Sequence, residues 1–292
     1  MLNNDLLLAL VTFARTQTLA KTAAALHVTQ PTVTRGMQKL ESDLNVQLFN
    51  RQPNKITLTA TGKLAATSAA QLLHDQQAFV TQLQNFERNQ QRLVVMATLP
   101  GPLVMLDARQ SQLPANLTVD STLITDDQLA ATLTNRRARL IFSNQEVQTA
   151  TIESRFLGIE SLVVHLQKFM YQANQPTITF KELRGLSFVM LDNIGDWRHV
   201  SQQLIPDAKF LYQDDQSSFQ EIAKYSDFPY FSTNVSLLRD EVRRQTTDDN
   251  RVAIPISDEA AHMPIYMSYL KSDHAALRHL MDQFVKWWPA AT

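Results

Sequence analysis

The sequence predicts two unequal parts, a small helical head with a hairpin arm and a larger α/β body, joined by one long helix. Three observations carry this. Helical apolar spacing with cap and turn signals fills roughly the first sixty residues. A proline-free amphipathic stretch follows, from Thr61 to about Gln91. Beyond Arg92, apolar stretches of strand length alternate with amphipathic helical ones, the pattern of α/β layers. The 292 residues suit two domains or three, and 44% hydrophobic content is that of a globular chain.

In the head, Leu6, Leu7, Leu10, Val11 and Ala14 recur at helical spacing, with Asn3 or Asn4 as cap and Asp5 in the first turn. Thr18 caps a second helix over Leu19–Leu26, whose Ala23-Ala24-Ala25 run lets another helix pack closely. His27-Val28-Thr29 makes a turn. Thr29 caps a third helix with Pro31 in its first turn, where the missing N–H does no harm. Val33, Met37, Leu40 and Leu44 form its apolar face. Gln30, Thr32, Thr34, Arg35, Gln38 and Lys39 form its polar face, mostly in the first half. Pro53-Asn54 is a plausible turn between two short arms, 46–51 and 54–59.

This is the pattern of a winged helix-turn-helix. The second helix of such a motif enters the major groove, and its N-terminal part meets base edges. Gln pairs with adenine, Arg with guanine, and Thr brings a hydroxyl and a methyl. The polar stripe alone is also an ordinary solvated helix face; the Ala-rich helix, short turn and Pro31 favour DNA. Arg51 and Lys55 on the wing would position the protein on the DNA backbone rather than specify sequence.

Charge agrees. The chain holds 27 Lys+Arg against 28 Asp+Glu, yet residues 1–63 carry seven cations against three anions, a net of +4. The remainder carries −5. A basic head on a mildly acidic body places nucleic-acid contact in the head.

The run Phe13, Thr18, Ala23-Ala24, Leu26, Val28 to Arg35 resembles the LysR-type transcriptional regulators, and so does the continuation Leu40-Glu41, Leu44, Leu48-Phe49, Arg51, Leu58 to Gly62. Asn45 stands where that family usually has Gly, and tolerates the left-handed conformation better than most residues. Thr18 and Thr34 stand where Ser is common. The resemblance implies a DNA-binding domain over 1–60, a dimerising linker helix over 61–91 and an effector-binding domain over 92–292. It implies that this last domain is two-lobed and like a periplasmic binding protein, with lobe 1 near 92–160 and 267–292 and lobe 2 near 161–266. Double-stranded DNA with a pseudo-palindromic operator, an unknown small-molecule effector, a second copy of the chain (homodimer or homotetramer) and RNA polymerase are the implied partners.

The linker stripe of Leu64, Leu72, Leu73, Phe79, Val80, Leu83 and Phe86 must bury itself, on a partner copy or on the chain's own body. In the body, strands are expected at 93–98, 117–124, 139–143, 161–166, 186–191, 209–212, 230–232 and 264–270. Helices are expected at 102–112, 126–134, 196–204, 218–225, 235–244 and 273–288, with Ser218 and Glu221 as a capping box and largely parallel sheets. The crossings between lobes are expected near 157–161 and 265–269. Ligands in open α/β sheets bind beyond the carboxyl ends of strands, which points to Thr98, Pro100, Gly101, Thr125, Asp192, Asn193, Ser232 and Thr233. Each also has a bland role as a cap or strand end. Pro100 and Pro102 remove two backbone donors, which weakens carboxylate capture there.

The body departs from the family at Asn135 to Arg139 and at Tyr225 to Pro229, so a regulator whose body only oligomerises is a second reading. An enzyme is not expected. The chain has no Cys, no HExxH among its seven His, and no GxGxxG, GxxxxGK[ST] or GxSxG, so neither metal nor cofactor is expected. No apolar run approaches the ~20 residues of a membrane span. Met1 to Asp5 shows no leader pattern, and a cytoplasmic protein is expected.

Overall fold

The computed structural model describes residues 3–52, 55–89, 92–239 and 250–291. They form two compact units, Met1–Gln84 and Asn85–Thr292.

In the first unit, α1 (Asn4–Thr16) is capped by the Asn3 side chain, which accepts from Asp5 N–H. Helix α2 (Leu19–Ala25) is capped by Thr18, and α3 (Gln30–Leu44) by Thr29, with Pro31 in the first turn. Asn45 ends α3 in the left-handed region, φ 53° and ψ 39°. Strands β1 (Phe49–Gln52) and β2 (Lys55–Leu58) pair antiparallel, and the expected Pro53-Asn54 turn lies outside the described residues. Leu7, Leu10, Phe13, Val33, Met37, Leu40, Leu48 and Phe49 make the core, with Phe13 edge-on to Phe49. Leu44 packs at its margin.

Helix α4 (Ala60–Asn89) runs 30 residues. Thr59 caps its start: its hydroxyl accepts from Gly62 N–H. A Cβ on Gly62 would lie 2.1 Å from the Leu48 carbonyl oxygen, so the hairpin and helix start can close together only over glycine. Ala66 and Ala69 of α4 are buried in the head core. Leu64, Leu72, Phe79, Val80, Leu83 and Phe86 are exposed within the single chain.

The second unit is built on a seven-stranded sheet in the order β10-β6-β11-β5-β3-β4, with β9 also on β6. These strands are β3 (Leu93–Ala97), β4 (Leu117–Leu123), β5 (Leu140–Ser143), β6 (Ile152–Gln167), β9 (Tyr230–Thr233), β10 (Arg251–Pro255) and β11 (His262–Leu270). A separate parallel pair joins β7 (Ser187–Leu191) and β8 (Lys209–Gln213). Helices α5 (Pro100–Ala108), α6 (Asp126–Thr134), α7 (Trp197–Leu204), α8 (Gln216–Tyr225) and α9 (His274–Trp287) cover the sheets.

Strand β6 holds the body together. Its first part pairs with β11 over Ile152 to Ser161, and its last part pairs with β9 and β10. The β6–β11 ladder shifts register at Ile265/Tyr266, so both expected crossings fall on this one antiparallel pair. The buried Asn234 amide pins it. Its oxygen accepts from Ser161 N–H, and its nitrogen donates to the Ile159, Pro289 and Ala290 carbonyls. Trp288 Nε1 donates to Ile159 O, and a Cβ on Gly158 would collide with the Trp288 ring.

Several sequence expectations need correction. The sheets are mixed rather than largely parallel: β3–β4, β3–β5 and β7–β8 are parallel, but every ladder of β6 is antiparallel. Strand 161–166 begins nine residues earlier, at Ile152, because β11 supplies a partner along the whole crossing. Strand β10 was not expected; it lies on the far edge of β6. Helix 102–112 begins at Pro100 and ends at Ala108, with a 3-10 turn over Gln110–Gln112. Asp215, not Ser218, caps α8, because its carboxylate takes the Ser218 N–H and the Ser217 and Ser218 hydroxyls. Of helix 235–244 only the 3-10 turn Ser236–Leu238 is seen, and 240–249 lies outside the described residues. No helix among the described residues is long and apolar enough to cross a membrane.

Candidate nucleic-acid interface and ligand cleft

Helix α3 places its apolar stripe inward and its polar stripe outward by 3.6-residue periodicity. Gln30, Pro31, Thr32, Arg35, Gln38 and Lys39 are exposed, and Thr34 is half-buried. The threonines are partly committed. Thr32 shares a hydroxyl contact of 2.8 Å with the Thr29 cap, and Thr34 donates back to the Gln30 carbonyl at 3.1 Å. The side chains of Gln30, Arg35, Gln38 and Lys39 make no hydrogen bond or ion pair among the described residues. An open groove in the head brings Gln30 and Thr34 together with Arg51 and Gln52 of β1, and with Arg15, Thr18 and Lys63. Its cations suit an anionic backbone. The Lys55 side chain lies outside the described residues.

The wing is set by an acid that carries no local signal beyond the Leu40-Glu41 motif. Glu41, on α3, accepts from the backbone N–H groups of Leu48 and Phe49 at 2.8 and 3.0 Å. Its other oxygen takes the Arg51 guanidinium at 2.6 Å. Partial burial pushes its pKa up, but these donors outweigh burial and hold it below the ordinary glutamate range. One carboxylate therefore fixes the turn into β1 and aims Arg51, whose guanidinium carbon lies 6.0 Å from the Phe49 ring centre.

The body places its named residues less uniformly. Leu99 precedes α5 without a side-chain cap, and Pro100 and Gly101 form the helix start beside the half-buried Thr98. Thr125 is an exposed cap of α6 in a capping box with Gln128. Asp192 pairs with Arg198, which lies 4.2 Å from the Tyr212 ring centre, and Asn193 is exposed. On β9 successive side chains face opposite ways. Ser232 bonds the buried His165 at 2.7 Å, and Thr233 reaches the carboxyl of Glu160.

Glu160 is the unexpected residue. It lies on the crossing strand β6 and is 4% exposed. Gly101 is its neighbour: a Cβ there would sit 2.3 Å from Glu160 Oε2. Burial raises its pKa, and the Thr233 hydroxyl and Trp197 indole pull only partly the other way. Oε2 and Trp197 Nε1 still lack a well-formed hydrogen bond, as does the buried Oδ1 of Asn144. Asn144 Nδ2 donates to Asp196, and Gly195 packs on Leu99 and Pro100, so the segment before α7 closes over the start of α5. The sequence signal was a single acid inside the apolar run Ile159 to Leu166. Arg136 and Arg139 both pair with Asp273. No cluster of potential metal ligands occurs among the described residues.

A helix-turn-helix with a wing, carried on a chain whose α/β body has two lobes joined by crossing strands, defines the class: a DNA-binding head on a binding-protein-like body. Residues 5–63 match the family described as "Bacterial regulatory helix-turn-helix protein, lysR family". The head is therefore a helix-turn-helix domain of the lysR family. Over 92 residues it is 33% identical to the HTH-type transcriptional regulator YbhD of Escherichia coli K12, covering 32% of this chain and 29% of that one. The matched stretch spans less than two thirds of the curated relatives' length. The fold matches a DNA-bound structure of DarR from Vibrio fischeri with a TM-score of 0.55 at 14% identity, over 97% of this chain and 99% of that one. A full-length point variant of OxyR from Pseudomonas aeruginosa matches with a TM-score of 0.51 at 17% identity, over 98% and 95%.

Proposed function

We propose that this chain is a sequence-specific DNA-binding transcriptional regulator of the LysR type, assembled through α4 and governed by a small effector held between the body's lobes. The observation that carries the reading is the outward face of α3: four polar side chains free of internal bonds, over a groove edged by Arg15, Arg51 and Lys63. Arg35, Gln30, Gln38 and Lys39 read bases, with Thr32 and Thr34 beside them. Pro31 sets the start of the helix. Arg51 and Lys55 hold the backbone. The head spans 1–60, the linker 61–91 and the body 92–292, and the protein acts in the cytoplasm without catalysing a reaction.

Dimerisation is supported by α4. Leu72, Phe79 and Phe86 stand seven residues apart and exposed, a spacing that pairs helices. RNA polymerase is the expected downstream partner. Footprinting on the chain's own upstream region, at stated salt, tests the reading. A protected pseudo-palindrome is expected, and Phe79→Glu should dissociate the dimer in sedimentation and remove the protection. Diffuse, salt-sensitive binding without protection, in a genomic site selection as well, would overturn it.

A further inference from the structure

The last turn of α4, from Asn85 onward, belongs to the second unit and is tied to it. Asn85 Nδ2 donates at 2.8 Å to the carbonyl of Asn135, the residue that ends α6. The Phe86 ring centre lies 6.0 Å from the Arg136 guanidinium carbon. The same guanidinium donates to Asp273 at 2.7 Å and to the Ser272 hydroxyl at 3.2 Å. Asp273 is buried and immediately precedes α9. One arginine therefore touches the linker on one side and the start of α9 on the other.

Arg136 stands where the backbone does not favour it. Helix α6 closes in a Schellman turn: Arg137 N–H bonds the Thr132 carbonyl, and Arg136 N–H bonds the Leu133 carbonyl. Arg136 is the left-handed residue of that turn, with φ 55°, a position glycine fills at least cost. Asp273 does not need it as a counter-ion, because Arg139 reaches the other carboxylate oxygen at 3.3 Å. What Arg136 adds, against backbone strain, is the span from Asp273 to α4.

Helix α9 carries the tie across the body. At its far end Trp288 Nε1 donates to the Ile159 carbonyl, and the ring meets Gly158, both on the crossing strand β6. Fourteen helical residues span about 21 Å between these two attachments.

We propose that Arg136 is a positioning residue that fastens the end of the linker to the start of α9, so that the linker's exit from the body follows α9 and the crossing. This rests on the regulator reading, in which α4 carries the DNA-binding head. Phe86 remains 48% exposed, so its contact with Arg136 leaves the ring open to the α4 pairing.

The test is hydrogen exchange of the full chain, read by mass spectrometry on peptides covering 80–89, in wild type, Arg136→Gly and Asn85→Ala. Glycine relieves the left-handed turn, and alanine favours helix. A turn and a helix that served only themselves would exchange as slowly as wild type, or more slowly, in both variants. With the tie, both should exchange at least about 10-fold faster there. Sedimentation should give the same assembly, and tryptophan emission the same midpoint. All three tryptophans (197, 287 and 288) belong to the body, so that signal reports the body. Where Arg136→Gly lowers the midpoint, Asn85→Ala decides, because it removes the bond to Asn135 and leaves the ion pairs in place. The bend of a bound operator, from circular-permutation mobility, should change in both variants, with affinity for a single half-site held within about twofold. Exchange no faster than wild type would overturn the inference. So would faster exchange with an unchanged bend, which would make the tie a matter of stability alone. Failure of the regulator reading looks different: wild type itself gives no footprint, whatever the exchange.

Discussion

Two glutamates, one in the head and one in the body, have opposite surroundings. Glu41 is met by two backbone N–H groups and a guanidinium, and its pKa is lowered. Glu160 is more deeply buried, meets no cation of the described residues, and its pKa is raised. The head has therefore used its charge to fix its own shape and leaves its free donors and acceptors on the outer face of α3. The body keeps unspent acceptors inside. A satisfied network specifies a structure, whereas a buried, half-satisfied one is costly unless something else completes it. The head presents its free polar groups outward, and the body encloses its own.

The largest expected effect tests the satisfied side. Glu41→Ala leaves two wing N–H groups without an acceptor and Arg51 without its anchor, at a cost of about 2–4 kcal/mol to the head. Operator binding should fall with it, while the tryptophan-monitored midpoint of the body stays put. A drop in the body's midpoint, or an unchanged head, would break the contrast. Arg51 contributes least to that stability, because 44% of its side chain is exposed.

Acid titration sharpens the same comparison, with opposite signs. Glu41 has a folded pKa below its unfolded one. Its contribution is present above the unfolded value and is lost as pH falls through the folded pKa, below the ordinary glutamate range. Glu160 has a folded pKa above its unfolded one, so ligand-free body stability is fullest below the unfolded value and declines as pH rises through the raised pKa. Glu160→Gln removes that decline and should raise the body's denaturant midpoint at neutral pH. A variant less stable than wild type at neutral pH would mean that the acid is already satisfied inside the fold.

The two regions also differed in how far the sequence could be read. The head was legible because its signals are local: Thr18 and Thr29 cap the helices they precede, Pro31 falls in a first turn, and Asn45 adopts the left-handed turn. The body's errors arose where partners lie far away in sequence. Ile152 to Glu160 reads as loop and crossing until β11, more than a hundred residues later, pairs with it. Ser232 and Thr233 are equivalent in sequence, but the pleat of β9 sends one to His165 and the other to Glu160. The Gly101–Glu160 contact has no local signal at all, since a glycine before a proline reads as a helix start.

On the reading face of α3, Arg35→Ala should cost about 1–3 kcal/mol on the preferred operator and relax the choice at one base pair. Competition binding against operators substituted base by base gives that readout. Equal loss on every sequence would move Arg35 from base reading to backbone contact and leave Gln30 and Gln38 as the residues that choose.

Arg51→Ala should show the smallest effect and a different kind. The Glu41 pair is exposed on the arginine side, so head stability should change by no more than about 1 kcal/mol. Binding should weaken by a similar factor on preferred and random DNA, and the salt dependence should lose about one phosphate contact. Together with Glu41→Ala this separates two roles that share one ion pair. If Glu41 only shapes the wing, its backbone acceptors matter and Arg51→Ala leaves the fold intact. If both substitutions unfold the head equally, the ion pair itself holds the wing, and the groove edge at Arg51 is structural rather than a DNA contact.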